Sequence, residues 1–256
     1  MLSTSIFVTV VMDLLPKVPG NGCLSFFCLL AVDPVAFFPL NITYGTREVD
    51  DRVPQGISSE VNLSPGPYGQ VNGSYEFKGT SNSYIEFSNN AGEVLDVRYS
   101  ITMLCWVYYD GQDGPLFNYR TSGDWGVHLW AIEGKLFVRF TKRNYSFTDA
   151  LLNGNLADGW RCVGASYNNV TGEAKLWMDG VFVQTLNIGV GLELATQDSV
   201  RMGVKTGDGR YFKGRITQMR VYDVALPQEL IQEILGKTIL FKELIYNKKR
   251  MLLATS

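Results

Sequence analysis

The tightest constraint on the fold lies between Trp160 and Val183, WRCVGASYNNVTGEAKLWMDGVFV. A strand-forming run from Arg161 to Tyr167 stops at Asn168-Asn169 and Gly172. A second run, Glu173 to Met178, meets Asp179-Gly180, and a third follows from Val181 to Leu186. Asp-Gly accepts the positive φ angles of a two-residue hairpin, so the last two runs are expected to pair antiparallel. No helical period separates the three runs, which points to successive antiparallel strands rather than strand–helix–strand units.

The rest of the chain fits that beginning. Ser100 to Tyr109, SITMLCWVYY, is apolar on both faces: Ile101, Met103, Cys105 and Val107 project one way, Leu104, Trp106 and Tyr108 the other. Such a strand belongs in the middle of a sheet, covered on each side. Further strands are expected at Tyr75–Gly79, Tyr84–Phe87, Leu116–Tyr119, Gly126–Ala131, Lys135–Thr141, Ser199–Val204 and Arg215–Tyr222. Their spacing, about ten residues with Gly-rich turns, is that of an all-β sandwich. Arg47 to Gln70 has no periodicity and reads as loop. Pro227 to Leu235, PQELIQEIL, is the one convincing helix: Pro suits its first turn and Leu230, Ile231, Ile234 and Leu235 form a stripe.

Two motifs carry a family resemblance. Trp160-x-x-Val163-Gly164-x-Ser166-Tyr167, then Thr171-Gly172 and Leu176-Trp177-Met178-Asp179-Gly180, resembles the hairpin of laminin G-like and pentraxin-like domains. Tyr211-Phe212-Lys213-Gly214-Arg215-Ile216, Met219-Arg220-Val221-Tyr222-Asp223, Ala225-Leu226 and Glu229-Leu230 resemble the closing strand and short helix. These domains belong to the concanavalin A-like lectin/glucanase superfamily. The resemblance runs from about Val35, where Val35–Leu40 is similar to a first strand, to Leu235. It implies a two-sheet antiparallel jelly roll with one short C-terminal helix, here occupying residues 33–235. Leu226 departs from the Ser or Thr that usually caps that helix.

The resemblance also implies sites. Pentraxin-like domains bridge the strands holding Cys105 and Cys162; the two cysteines here are one and two positions out of that register, so a bridge and two buried thiols are both open readings. Laminin G-like relatives hold Ca²⁺ at the sandwich rim, which designates Asp124 as one ligand and Gln197 or Asp198 as the second. The pentraxin run of consecutive ligands is missing. A glycan would use aromatic faces and nearby amides, for which Trp125, Trp130, Tyr145, Tyr211 and Asn118 stand in or near expected loops. Arg143 and Arg210, with Arg139, Lys142, Lys205, Lys213 and Arg215, would form a patch for anionic glycans.

Several chemistries are excluded or weakened. A net charge of −2 gives no electrostatic case for nucleic acid. The single histidine, His128, rules out a multi-His metal site. The glucanase string Glu-x-Asp-x-x-Glu is absent: Glu48-Val49-Asp50 is followed by Val53 where the last acid should stand. Nucleophile-elbow, zincin, EF-hand and phosphate-loop patterns are also absent.

Residues 1–32 read as a signal peptide or irregular leader. Cys23 to Val32 has the length of a signal h-region, too short to span a bilayer, with a buried strand as the alternative. Five sequons, at Asn41, Asn62, Asn72, Asn144 and Asn169, favour an extracellular, glycosylated protein. Residues 236–256 form a tail of unassigned role. The expectation is a secreted, non-catalytic binding or adhesion module that recognises glycan or extracellular-matrix protein through rim loops. The alternatives are a structural matrix component and a degenerate glycoside hydrolase.

Overall fold

The computed structural model describes residues 32–157 and 159–236, so the expected leader before Val32, with Cys23 and Cys28, and the tail beyond 236 lie outside it. Alternation becomes fifteen strands among the described residues: β1 (Ala36–Phe38), β2 (Ile57–Ser59), β3 (Val61–Ser64), β4 (Ser74–Lys78), β5 (Tyr84–Phe87), β6 (Ile101–Gln112), β7 (Gly114–Tyr119), β8 (His128–Ile132), β9 (Lys135–Arg139), β10 (Ala150–Asn155), β11 (Trp160–Tyr167), β12 (Glu173–Met178), β13 (Val181–Asn187), β14 (Val200–Met202) and β15 (Lys213–Tyr222). They build two antiparallel sheets. One is eight-stranded in the order β13-β12-β11-β6-β15-β4-β3, with β1 beside the second half of β15; the other is seven-stranded, β10-β9-β8-β7-β14-β5-β2.

The sandwich core follows from the two-residue period. Ile101, Met103, Cys105 and Val107 of β6 point inward with Val163, Ala165 and Tyr167 of β11, against Phe117, Tyr119, Leu129, Leu136 and Val138 of the facing sheet. Phe38 and Phe87 meet across the layers with centroids 4.1 Å apart. Each such side chain contributes about 1.5–3 kcal/mol on leaving water, so the facing layers dominate stability. As expected, β6 is central, between β11 and β15. Its other face places Leu104 with Trp177, Tyr222, Leu226 and Ile231, beneath the helical turns at 228–236. The Thr102 hydroxyl accepts from the Leu226 amide at 2.9 Å and donates to the Val224 carbonyl at 2.7 Å, fixing the approach to the helix from the sheet side.

The expected hairpin is present. Asp179 and Gly180 have φ of 50° and 83°, the doubly left-handed turn that matches the twist of β12 and β13. Two expectations are corrected. The 47–70 stretch is not all loop, because β2 and β3 lie within it; both are short, solvent-facing edge strands and so leave no alternation to read. The Cys105–Cys162 bridge is not formed: both are free thiols. Cys105 lies opposite Val163, and Cys162 opposite Trp106. Directly opposed residues share a face, so this one-step offset sends the two sulfurs to opposite sides of the sheet.

At one side of the sandwich the edge strands of the two sheets are stitched together by side chains. The Leu152 amide donates to Gln184 Oε1 and the Asn153 carboxamide donates to the Val183 carbonyl, both at 2.9 Å, linking β10 to β13. Among the described residues no helix is long and apolar enough to cross a membrane.

Candidate functional site

Four connections converge at one rim of the sandwich: those around Asn89–Asp96, Arg120–Val127, Lys142–Ser146 and Gly189–Ser199. Arg120 follows β7 directly, with φ of 67° and its amide donating to the Ser199 carbonyl at 2.9 Å. The left-handed turn directs its guanidinium over the Tyr145 ring, 4.0 Å from the centroid. Tyr145 is itself left-handed (φ 66°), in a turn closed by its amide on the Lys142 carbonyl at 2.7 Å. Its hydroxyl donates to Asp198 Oδ2 at 3.0 Å and accepts from Gln197 Nε2 at 2.8 Å. Arg120 therefore draws together residues expected at the site, with Asp124 Oδ2 at 3.7 Å from Nη2 and Asp198 Oδ2 at 3.9 Å from Nη1.

Behind this group Arg143 clamps Asp96 in a bidentate pair, both bonds 2.8 Å. Burial opposes ionisation of Asp96, but hydrogen bonds from Arg143, Gly92 and Thr196 outweigh it and hold the carboxyl below its ordinary range. Arg143, expected to meet an anionic glycan, is thus spent on fixing the rim.

Between these walls lies a polar cavity of about 270 Å³, lined by Asn89, Asn90, Arg120, Ser122, Asp198 and Ser199 among others. Asn89 is 3 % exposed. Its carboxamide nitrogen donates to the carbonyls of Thr196 (2.8 Å) and Asp198 (3.1 Å), which fixes the orientation of the amide. Its Oδ1 is buried and accepts no hydrogen bond within the protein. A buried acceptor without a donor costs about 1–3 kcal/mol, so this is the one strongly under-satisfied group on the cavity wall. A second hollow, of about 490 Å³, is lined by Lys142, Arg143, Asn144, Gly191, Leu192 and Glu193.

The other expected ligand residues lie elsewhere, on the outer face of the seven-stranded sheet. Glu86, Arg201, Asn118, His128 and Arg139 stand in register as one polar row across five strands. Asn118 is fully buried and its amide is consumed: Oδ1 accepts from Trp130 Nε1 at 3.0 Å, and Nδ2 donates to the carbonyls of Tyr119 and Arg120. It positions Arg120 rather than meeting a ligand. Trp125 folds back over the row, 4.9 Å from His128 and 5.3 Å from Trp130. Lys205 covers Trp125 at 4.6 Å and donates to the Gly123 carbonyl at 2.8 Å, while Arg210, paired with Asp208, covers Trp130 at 4.7 Å. Tyr211, next along, pairs with Val204 in an isolated bridge. Burial lowers the His128 pKa to about 3; the Gly126 carbonyl opposes this, and Arg139, Lys205 and Arg210 add to it. His128 is neutral at physiological pH.

For calcium the donor set does not fit. Ca²⁺ takes six to eight oxygens, and the two expected carboxylates, Asp124 and Asp198, lie on either arm of a guanidinium instead. Gln197 is held through its Nε2 on the Arg143 carbonyl and Tyr145, and its buried Oε1, the one atom it could offer a cation, accepts no hydrogen bond. Among the described residues no three His, Cys, Asp or Glu side chains converge as a metal cluster. Of the sequons, Asn62 and Asn144 are exposed and Asn41, Asn72 and Asn169 half-buried. The Asn169 amide nitrogen, which would carry the sugar, donates to the Leu192 carbonyl at 3.0 Å.

Sequence reasoning reached Asp124, Tyr145, Gln197 and Asp198 but missed Arg120 and Asn89, which organise the cavity. The Asn89-Asn90 doublet before Ala91-Gly92 was the available signal: two adjacent amides in a loop.

Comparison with known proteins agrees with this architecture. Residues 78–232 match the Laminin_G_3 family model, described as the concanavalin A-like lectin/glucanases superfamily. No curated protein matches the chain. Among solved structures it is similar to the receptor binding domain of botulinum neurotoxin D (TM-score 0.64, 14% identity, covering 81% of this chain and 53% of that one). It is also similar to the binding domain of Paraclostridial Mosquitocidal Protein 1 (TM-score 0.62, 13% identity, 78% and 51%). A third is the botulinum neurotoxin serotype D ligand binding domain in complex with N-acetylneuraminic acid (TM-score 0.63, 13% identity, 81% and 52%). The chain spans about half the length of these structures. With the family match covering more than half of its residues, this chain belongs to the concanavalin A-like lectin/glucanase superfamily, as a laminin G-like β-sandwich.

Proposed function

We propose that the chain is a non-catalytic, extracellular binding module whose rim cavity takes a glycan. The observation that carries this reading is Asn89, a cavity-lining residue whose fixed, buried Oδ1 has no donor within the protein, beside the hydroxyls of Ser122 and Ser199 and the guanidinium of Arg120 on the same wall. Sugar hydroxyls both donate and accept, so one pair of adjacent hydroxyls can satisfy Asn89 and engage Arg120, Ser122 or Ser199. The similar solved structures support a binding role, since their titles describe binding domains, one of them in complex with N-acetylneuraminic acid. The five sequons support secretion. Hydrolysis of a glycoside needs two carboxylates flanking the scissile bond, and the cavity wall offers one, Asp198, already engaged by Tyr145.

A glycan array probed with wild-type protein and with Asn89→Ala and Ser122→Ala tests the proposal. Wild type is expected to retain a defined set of glycans. Each variant, shown folded by thermal melting, should bind them about tenfold more weakly, the equivalent of one hydrogen bond. Retention of no glycan by wild type, or equal retention by folded Asn89→Ala, would overturn it.

A further inference from the structure

We infer that the Arg120 guanidinium stands where a rim calcium would sit, so that this cavity works without calcium and favours a neutral diol over an acidic sugar. The sugar half of this inference rests on the proposed glycan reading; the cation half does not. Arg120 lies between the carboxylates of Asp124 and Asp198, at 3.7 and 3.9 Å, with its plane against Tyr145. Its backbone is held by Asn118 and Ser199 and its guanidinium rests on the Tyr145 ring, so the charge is anchored at both ends of the side chain. Asp198 accepts from Tyr145, and Gln197 is anchored through its nitrogen by Tyr145 and the Arg143 carbonyl; its one open carboxamide oxygen falls far short of the six to eight that calcium takes. A divalent ion entering this space would meet a positive charge within a few ångströms of both acids, which offsets half of their combined charge and takes the place between them.

The same arrangement says which sugars fit. Both contacts to Arg120 are long, so its N–H groups retain donor capacity toward a ligand; two of them diverge at the spacing of two oxygens. Lys205, which hydrogen-bonds Gly123 beside Asp124, is the second cation of the group. Arg120 and Lys205 balance Asp124 and Asp198, leaving no net charge for an anionic sugar to neutralise. An uncharged vicinal diol accepts from Arg120 through one hydroxyl and donates to Asn89 Oδ1 through the other, with no charge to desolvate.

Terbium luminescence separates the two halves. Tb³⁺ occupies calcium sites and emits when excited through a nearby aromatic residue, here Tyr145 or Trp125. Wild-type protein is expected to give no sensitised emission, whereas Arg120→Gln, which frees both carboxylates, should give emission that calcium competes away. Emission from wild type would overturn the inference. Emission from neither protein would overturn it as well, since Arg120 would then not be what keeps the ion out. On the glycan array, wild-type retention should be unchanged by a calcium chelator and at least about tenfold stronger for neutral than for sialylated glycans; loss on chelation, or a preference for sialylated glycans, would overturn it. Retention of no glycan at all defeats the proposed function and leaves the terbium result to judge Arg120 alone.

Discussion

Glu48 offers a stringent test of how the edge of the eight-stranded sheet is held. Its side chain is fully buried, and four donors enter one carboxylate: Phe37 N (3.1 Å) and Arg52 Nη2 (3.3 Å) on Oε1, Asp50 N and Arg52 N (3.0 Å each) on Oε2. The Phe37 bond ties the loop to β1. Burial opposes the charge, but these bonds prevail and the pKa lies below the usual glutamate value. In Glu48→Gln one oxygen becomes an NH₂ facing two donors, so two charge-assisted bonds of about 1.5–3 kcal/mol each are lost. Relief of carboxylate desolvation offsets part of this, leaving a net cost of about 3 kcal/mol. For a domain of this size that lowers the melting temperature by roughly 6–12 °C. Urea unfolding followed by tryptophan fluorescence measures the gap directly. Because the folded-state pKa is depressed, the stabilisation is complete above the unfolded value of about 4.3 and is lost as pH falls through the folded one. Glutamine does not titrate, so the two proteins should converge in acid. A gap under about 0.5 kcal/mol at neutral pH, or one that does not narrow as pH falls below about 4.3, would refute the assignment.

Three further outcomes follow from other parts of the molecule. Peptide mapping of unreduced protein should recover Cys105 and Cys162 on separate alkylatable peptides, with slow labelling of the native state because burial raises the Cys162 thiol to about 12. The His128 ring resonances should stay flat from pH 8 to pH 5 by NMR, since its folded pKa is near 3; the unfolded imidazole protonates below about 6.5, so stability declines as pH falls through that window, and His128→Leu should flatten the decline. Ile231→Ala, which empties the space between the helix, Leu104 and Trp177, should cost about 2–4 kcal/mol by urea denaturation without changing glycan retention.

What could be read from the sequence was local. Alternation in Ser100–Tyr109 and the Asp179-Gly180 turn each act through residues a few positions apart, and both took the expected form. The site depends on distant pairs instead. Asn89 hydrogen-bonds Thr196 and Asp198 more than a hundred residues away, and Arg120 reaches Asp198 across six intervening strands. No pattern in the chain announces such meetings. Trp125 and Trp130 show the opposite failure. They look like free aromatic platforms, yet the row beneath them gives each a partner, and Lys205 and Arg210 close over the top. For the cysteine pair the sequence left a bridge and two thiols both open, and the register decides for thiols, since one residue sets which side of a sheet a sulfur faces.

The cross-links between β10 and β13 make the two flanks of the sandwich unequal. On that flank Gln184 and Asn153 occupy backbone groups that a foreign strand would need for docking. The opposite flank ends in β2 and β3, three and four residues long and turned toward solvent. Unzipping under force or denaturant, and unwanted pairing between copies, are therefore directed to the second flank, with β6 and its neighbours the last to separate.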